Sequence, residues 1–336
     1  MKTLVIGDIH LEDKLPGYLN AQVAGIGSLF NTHRPCDTIF LGDVFHKRKP
    51  TPKELLAFKC LLSYFEDNVY ILRGNHDSDT KADDGVTALS LFEQDGGEYG
   101  FNQTVTVIKD VSCLGGNKIG IAHFENEETI KEHLSRVAET DIVFGHFGYS
   151  GSLNACGDFD FNIPLALFKS RSYLGHVHTF KQEGLVTIVG TPYPTNFQEA
   201  GKDNYYIVLD KDDKEEVKES HVGPVYLTAT SSQLTGVLEE IQSTYKDRFV
   251  LLQVYLEVEE LETFSETKLK SENPNIHYVS TKIVPSVNLE DLSFFSPTEE
   301  FYVDVTDDMI KDYIQAANTT FEVEDILQEF RSLKDE

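Results

Sequence analysis

Several short apolar runs in the first two-thirds of the chain end in side chains that bind metals. Lys2–Gly7 leads into Asp8-Ile9-His10, and Thr38–Leu41 into Gly42-Asp43-Val44-Phe45-His46. Asn68–Leu72 leads into Arg73-Gly74-Asn75-His76-Asp77, Asp141–Phe144 into Gly145-His146, and Ser172–Leu174 into Gly175-His176-Val177-His178. Carboxylates, an amide and imidazoles form a mixed oxygen and nitrogen donor set. Such a set suits manganese, iron or zinc better than calcium or magnesium, which prefer oxygen. The eight candidate groups (Asp8, His10, Asp43, Asn75, His76, His146, His176 and His178) are more than one ion needs. Two ions roughly 3.5–4 Å apart, sharing a bridging carboxylate, are the usual arrangement for phosphoester cleavage: they supply a hydroxide at neutral pH and clamp the attacking and departing oxygens. Singly, each motif has a plainer explanation. Asp8 or Asp43 could cap the following segment, and Gly-Asn-His-Asp could be a simple turn. It is the repetition at five strand exits that argues for a shared site. His33, His123, His221 and His277 lack that context and read as ordinary histidines.

The elements that must position these groups alternate. Pro16–Thr32 carries Leu19, Val23, Ile26 and Phe30 at helical spacing. Thr51, Pro52 and Glu54 form a capping-box start for a helix reaching about Phe65. This β-α-β-α-β order implies right-handed crossovers and parallel neighbours, which puts the carboxyl ends of the first three strands on one edge, where open α/β sheets bind ligands. At the third exit, Gly74 permits a close backbone approach. Further on, the pattern predicts a short helix near Val86–Phe92, strands around 104–108 and 118–123, a helix over Glu127–Ala138, and strands at Leu185–Val189 and Tyr205–Leu209. The charged run Asp210–Glu219 reads as a solvated hairpin or linker. Beyond it, strands at Val225–Thr230, Phe249–Val258 and Ile276–Val284, with helices at Gln233–Tyr245 and Glu260–Lys270, make a small α/β domain. Two short helices, Asp307–Ala317 and Val323–Leu333, follow.

Length and charge bound the function. The 336 residues suggest two or three domains, and 40% hydrophobic residues allow a sizeable core. No run of 18 apolar residues exists, and the N-terminus moves straight into a strand without a signal-peptide pattern, so a cytoplasmic, non-membrane protein is expected. Cys36, Cys60, Cys113 and Cys156 are scattered and read as reduced thiols. The net charge is −27, and residues 211–336 hold 28 acids against 11 bases. Unassisted nucleic-acid binding runs on Lys and Arg displacing counterions. A nucleic-acid substrate therefore needs a local basic patch, a metal site or a basic partner.

The ordered set DxH, GDxF, GNHD, GH and GHxH resembles the calcineurin-like metallophosphoesterases over roughly residues 1–210. The resemblance implies a four-layer α-β-β-α fold. It implies one metal held by Asp8, His10, Asp43 and His178, and a second held by Asp43, Asn75, His146 and His176, with Asp43 bridging. His76 matches the histidine that contacts the phosphate or protonates the leaving oxygen, Asp77 its orienting partner, and His46 a histidine near the scissile phosphate. Gly42–His46 followed by Pro50-Thr51-Pro52, and Gly190–Glu199, are similar to the SbcD-type DNA nucleases and to the bacteriophage recombination endonuclease subunits that pair with an SbcC-like ATPase.

This resemblance implies domains at 1–222 (nuclease), 223–295 (capping, DNA-positioning) and 296–336 (helical, ATPase-binding). It also implies two manganese ions, with magnesium, iron or zinc as alternatives. DNA is the expected substrate, exonucleolytically on double strands and endonucleolytically on single strands, in recombination, repair or replication. The partner is a coiled-coil ABC-type ATPase, in a heterotetramer containing a homodimer of this chain. If the chain is phage-encoded, its location is the bacterial host's cytoplasm. Lys47-Arg48-Lys49 is the basic cluster on this rim, a DNA contact or simply a solvated turn. The apolar positions of the last two helices could dock on the ATPase or pack within their own domain. The alternative reading is a small-molecule or cyclic-nucleotide phosphodiesterase of the same fold.

Overall fold

A computed structural model describes residues 1–94, 103–152 and 161–283. Its elements follow in the order β1 (Lys2–Ile6), α1 (Tyr18–His33), β2 (Cys36–Phe40), α2 (Pro52–Leu62), β3 (Val69–Leu72), β4 (Val105–Ile108), β5 (Val111–Gly115), β6 (Lys118–Ile121), α3 (Glu127–Arg136), β7 (Ile142–Gly145) and β8 (Arg171–Leu174). Then come β9 (Lys181–Glu183), β10 (Val186–Ile188), β11 (Tyr205–Leu209), β12 (Glu215–Glu219), β13 (Val225–Thr230), α4 (Leu234–Thr244), β14 (Val250–Leu256), α5 (Glu266–Glu272) and β15 (Ile276–Ile283).

Two six-stranded sheets carry the first part of the chain, in the orders β12-β11-β1-β2-β3-β4 and β5-β6-β7-β8-β10-β9. In the first, β1 to β4 are parallel, so their carboxyl ends share an edge. In the second, β6, β7, β8 and β10 are parallel, with antiparallel β5 and β9 at the borders. Side chains alternate between two cores, as strand periodicity requires. Leu4, Ile6 and Phe40 face α1 and α2, with Ile26, Phe30, Phe58 and Leu61. Val5, Ile39, Leu41 and Leu72 face the other way, onto Ile142, Phe144 and Tyr173 of the second sheet. On that sheet's far side, Val143 and Leu174 pack with Ile130 and Leu134 of α3. The layers are therefore helix, sheet, sheet, helix, a mixed α/β architecture. Buried on both faces, the central strands need continuous apolar runs, and this is what made them legible.

Local chemistry sets the boundaries. Thr51 Oγ1 accepts from the Glu54 amide at 3.3 Å, and the Glu54 carboxylate accepts from the Thr51 amide at 2.6 Å, completing the expected capping box. The 86–92 segment is a 3-10 turn over Ala88–Phe92 rather than an α-helix. The helix expected at Glu260–Lys270 begins later, where Ser265 caps the Lys268 amide; a separate 3-10 turn covers Val258–Glu260. β5 and β9 were not anticipated as strands, since they lie at sheet borders and carry little apolar alternation (Lys181-Gln182-Glu183 is the extreme case). The charged run 210–219 is a hairpin, with Asp210 accepting the Asp212 and Lys214 amides and β12 antiparallel to β11.

A third sheet, β13-β14-β15, is wholly parallel and packs its core on α4 and α5. Tyr226, Phe249 and Leu251 join Tyr18 of α1 in a second cluster, and the Tyr18 and Tyr226 hydroxyls lie 3.0 Å apart. The helices expected at 307–317 and 323–333, Cys156, and the end of the 223–295 segment lie outside the described residues. Cys36 is buried and Cys60 and Cys113 are exposed, all three as free thiols. Among the described residues no helix is long and apolar enough to cross a membrane.

Candidate metal centre

The expected side chains come from strand exits on both sheets. β1 and β2 continue side by side beyond their last residues, with the His10 amide donating to the Asp43 carbonyl at 3.0 Å and the Leu11 amide to the Val44 carbonyl at 2.8 Å. His10 (φ 41°), Asp43 (φ 48°) and His176 (φ 76°) all adopt left-handed backbone conformations. Such conformations are unfavourable for side-chain-bearing residues and persist where the surroundings hold them, often at functional sites. Here they turn three donors inward. Gly74 is constrained by contact: a Cβ there would lie 2.1 Å from Asp43 Oδ1. The bare backbone lets the third exit close over the second.

Two groups of donors result. On one side, Asp8, His10 and His178 offer atoms within 4.8 Å of one another. His10 Nε2 stands 3.0 Å from His178 Nε2 and 3.8 Å from Asp43 Oδ2. On the other, Asp8, Asp43 and His146 form a second set. His146 Nε2 is 3.4 Å from Asp43 Oδ1 and 3.0 Å from Asn75 Oδ1, which is also 3.0 Å from His176 Nδ1. Asp43 lies between the groups. All seven residues assigned to two metals are thus brought together, and His76 forms a third set with His10 and Asp43.

The donor chemistry calls for a cation. His146 Nδ1 donates to the Leu41 carbonyl at 2.7 Å, so its neutral ring carries a lone pair on Nε2. That lone pair confronts two oxygens, from Asn75 and Asp43, that can only accept. Without a metal a proton takes the place. Burial alone would lower the His146 imidazolium, but Asp43 and Asp8 overcome it and push it up to about 9. Burial pushes the Asp8 carboxyl up to about 7, with His146 opposing and Asp43 reinforcing. Burial would raise Asp43 too, but the imidazoles of His146, His10 and His76 hold it well below the usual carboxylate range. Burial, with His178 beside it, holds His10 neutral. A divalent cation would substitute for these protons, so the residues fit the group.

His76 sits on the rim, its ring 5.2 Å from that of His10 and 5.9 Å from that of His46. Its Nδ1 donates to the His46 carbonyl at 2.5 Å, and its backbone amide donates to Asp43 Oδ1 at 2.8 Å. The expectation that Asp77 orients this ring is corrected. Asp77 is buried beneath the turns, accepting from the amides of Val44 and Phe45 at 3.2 Å and of Gly74 at 3.0 Å. It ties the second and third exits together. Burial and Asp43 push its carboxyl up to about 6. His46 is half-buried, with Glu12 Oε1 3.7 Å from its Nε2.

The basic cluster is largely occupied. Arg48 donates to the carbonyls of Ser78 and Thr80 and to Glu125 at 3.1 Å, so it braces the loop after His76. Lys47 lies 3.8 Å from Glu12, and Lys49 is exposed.

Two residues escaped the sequence reading. Glu199, buried in the Gly190–Glu199 stretch, accepts from His178 Nδ1 at 2.6 Å and from the Thr195 amide at 2.7 Å. Burial opposes charge on both, yet their bond raises the His178 imidazolium and lowers the Glu199 carboxyl. His123 follows β6 and is buried against His146 and His176, with ring centroids 5.9 Å from each. Burial and His146 push its imidazolium down to about 3. The signal for His123 was present: Lys118–Ile121 is itself a strand, so Ala122-His123 is another strand exit, without the glycine that marks the others.

A family model described as calcineurin-like phosphoesterase matches residues 1–180. No curated protein matches the chain.

Proposed function

The chain belongs to the calcineurin-like phosphoesterase family, a family of metal-dependent phosphoester hydrolases, and from that premise we propose that it is a two-manganese DNA nuclease acting with an SbcC-like ATPase. The observation that carries the nuclease reading is where Gly190–Glu199 runs. This stretch, similar to the DNA-nuclease branch, links the metal side to the third sheet. Its Glu199 holds His178, while its Thr195 carbonyl accepts from Tyr226 on β13 at 2.9 Å and from Lys14 at 3.1 Å. A polymer needs such a continuous surface beside the reacting centre; a small phosphate ester does not.

When bound, the metals supply Lewis acidity toward the phosphoryl oxygens and an activated water. The chain's own residues do the rest. Asp8, His10, Asp43 and His178 hold one ion, and Asp43, Asn75, His146 and His176 the other. His76, fixed through Nδ1 to the His46 carbonyl, presents Nε2 as the nitrogen that gains and loses a proton, and so stands to protonate the leaving oxygen. Asp77 keeps the two turns in register, and Glu199 fixes the tautomer of His178.

A small-molecule phosphodiesterase is the second reading, favoured by one observation. Four cations near the rim are matched to carboxylates: Lys14 and Lys47 to Glu12, Arg48 and Lys81 to Glu125. Purified protein with manganese should degrade linear DNA, and His76→Ala should abolish this with metal still bound. Efficient turnover of bis(p-nitrophenyl) phosphate with no attack on linear or single-stranded DNA would select the second reading.

A further inference from the structure

Tyr226 of β13 is buried, and its ring packs edge-on against Phe197 at 4.9 Å. Its hydroxyl has two partners. It donates to the Thr195 carbonyl at 2.9 Å, so its oxygen is left to accept from the Tyr18 hydroxyl of α1 at 3.0 Å. Thr195 directs its other polar groups at one carboxylate: its amide donates to Glu199 Oε2 at 2.7 Å, and its hydroxyl donates to the same oxygen at 3.0 Å. The second oxygen of that carboxylate, Oε1, accepts from His178 Nδ1 at 2.6 Å. A strand of the third sheet is therefore joined to a side chain of the metal centre by hydrogen bonds that pass through a buried tyrosine, threonine and glutamate.

A buried polar group that loses its partner is destabilised, so each link in this series holds the next in place. The Thr195 carbonyl has one other donor, Lys14 Nζ at 3.1 Å, on a partly exposed side chain that also pairs with Glu12. An ammonium on a long flexible stem fixes that carbonyl less firmly than a phenol packed on a strand. The start of the 190–199 stretch is secured separately, by the Tyr193 hydroxyl on the Ile9 carbonyl and the Ser220 hydroxyl on the Pro192 carbonyl. Tyr226 secures the part next to Glu199. We infer that Tyr226 is a positioning residue for the metal centre: its hydroxyl fixes Thr195, Thr195 fixes Glu199, and Glu199 keeps His178 Nε2 turned toward His10. The inference rests on the metal-centre reading above and extends it to the third sheet, so that the seating of β13 sets how tightly the ion on the His178 side is held. Tyr226 acts through these neighbours and takes no part in the chemistry.

Calorimetric titration of manganese into the metal-free full chain tests it. Tyr226→Phe removes the hydroxyl and keeps the ring in its packing. It should weaken one of the two sites by about threefold to tenfold and leave the other unchanged, a smaller effect than the roughly 10- to 100-fold of a direct outer partner. Tyr18→Phe is the control, because it deletes a hydroxyl from the same buried cluster and leaves the bond to Thr195 in place. Both of its sites should stay within about twofold of the unsubstituted chain. In a Glu199→Gln background, where the link to His178 is already weakened, Tyr226→Phe should add less than about twofold. Should Tyr226→Phe fail to fold, Thr195→Val, which deletes only the hydroxyl's bonds, is titrated instead and should weaken a single site. Two sites unchanged or equally weakened, the same loss in Tyr18→Phe, or a full further loss in the Glu199→Gln background would overturn the positioning role and leave the metal centre standing. No manganese uptake by the unsubstituted chain would overturn both.

Discussion

Glu199 Oε1 lies 2.6 Å from Nδ1 of His178, the carboxylate buried and the ring partly so, although the two are 21 positions apart in the chain. The carboxylate is itself held by the amide and hydroxyl of Thr195 and by the Asn196 amide group. The ring is therefore locked with Nε2 pointing to His10 and free to ligate. Glu199→Gln should weaken the ion on this side by about 10- to 100-fold, since outer partners of a ligating histidine contribute on that scale. Calorimetric titration of manganese into metal-free protein should then resolve one weakened and one unchanged site. Two unchanged sites would remove Glu199 from the centre.

Metal uptake should release protons. In metal-free protein at pH 7, His146 (about 9) is protonated and Asp8 (about 7) half so. Both must lose those protons to ligate, giving about one proton or more per chain. Manganese affinity should therefore rise with pH up to about 9 and fall in acid. The linkage also sets metal-free stability. A histidine whose folded pKa is raised stabilises below its unfolded value and loses that contribution as pH rises through the folded one. Between about pH 7 and 9 the metal-free protein should thus lose stability, widening the gap in Tm to the loaded form. Binding heats independent of buffer ionisation enthalpy would contradict this.

Gly74→Ala should abolish metal binding rather than merely weaken it. The new Cβ would meet Asp43 Oδ1 at 2.1 Å and the Asp43 amide at 2.3 Å, so the bridging carboxylate must move. Displacements of about 1 Å at a reacting centre can lower rates by about 10²-fold. The measurement is metal content after gel filtration. A fully loaded Ala variant would show that the two turns can part without consequence.

Asp77→Asn separates a structural from a catalytic role. An amide keeps one acceptor oxygen but turns a donor toward the amides of Val44, Phe45 or Gly74, leaving at least one unpaired. The expected destabilisation is about 1–3 kcal/mol, seen as a lower denaturation midpoint. The His76 ring, anchored by the His46 carbonyl, should keep its place. The pH dependence of kcat should therefore stay unshifted in this variant. A displaced pH profile with unchanged stability would return Asp77 to the role of orienting His76.

Arg48→Ala should act through the loop it braces. Its guanidinium ties the carbonyls of Ser78 and Thr80 to Glu125. Removing it should raise proteolytic sensitivity near residues 78–85, and it should lower activity on DNA and on bis(p-nitrophenyl) phosphate together. A loss confined to DNA would identify Arg48 as a phosphate contact instead.

The sequence by itself determined which residues could ligate and that their strands run side by side. Each of those facts is local: an apolar run, a turn, a donor within two or three residues of the strand's end. The parallel order follows from the alternation of strands and helices, so the convergence of Asp8, Asp43 and Asn75 on one edge was legible before any coordinates. Tertiary structure decided what the pairing of two sheets and the folding back of distant loops control. Glu199 reaches His178 because the 190–199 stretch returns over β1, where the Tyr193 hydroxyl bonds to the Ile9 carbonyl. Asp77 points down into the crossing of two turns rather than along its own neighbour. His123 enters the centre from the exit of β6, an expected strand whose end lacks the glycine that marks the other exits. These contacts join residues far apart in the chain, and side-chain direction at a turn depends on backbone angles that residue type alone leaves open.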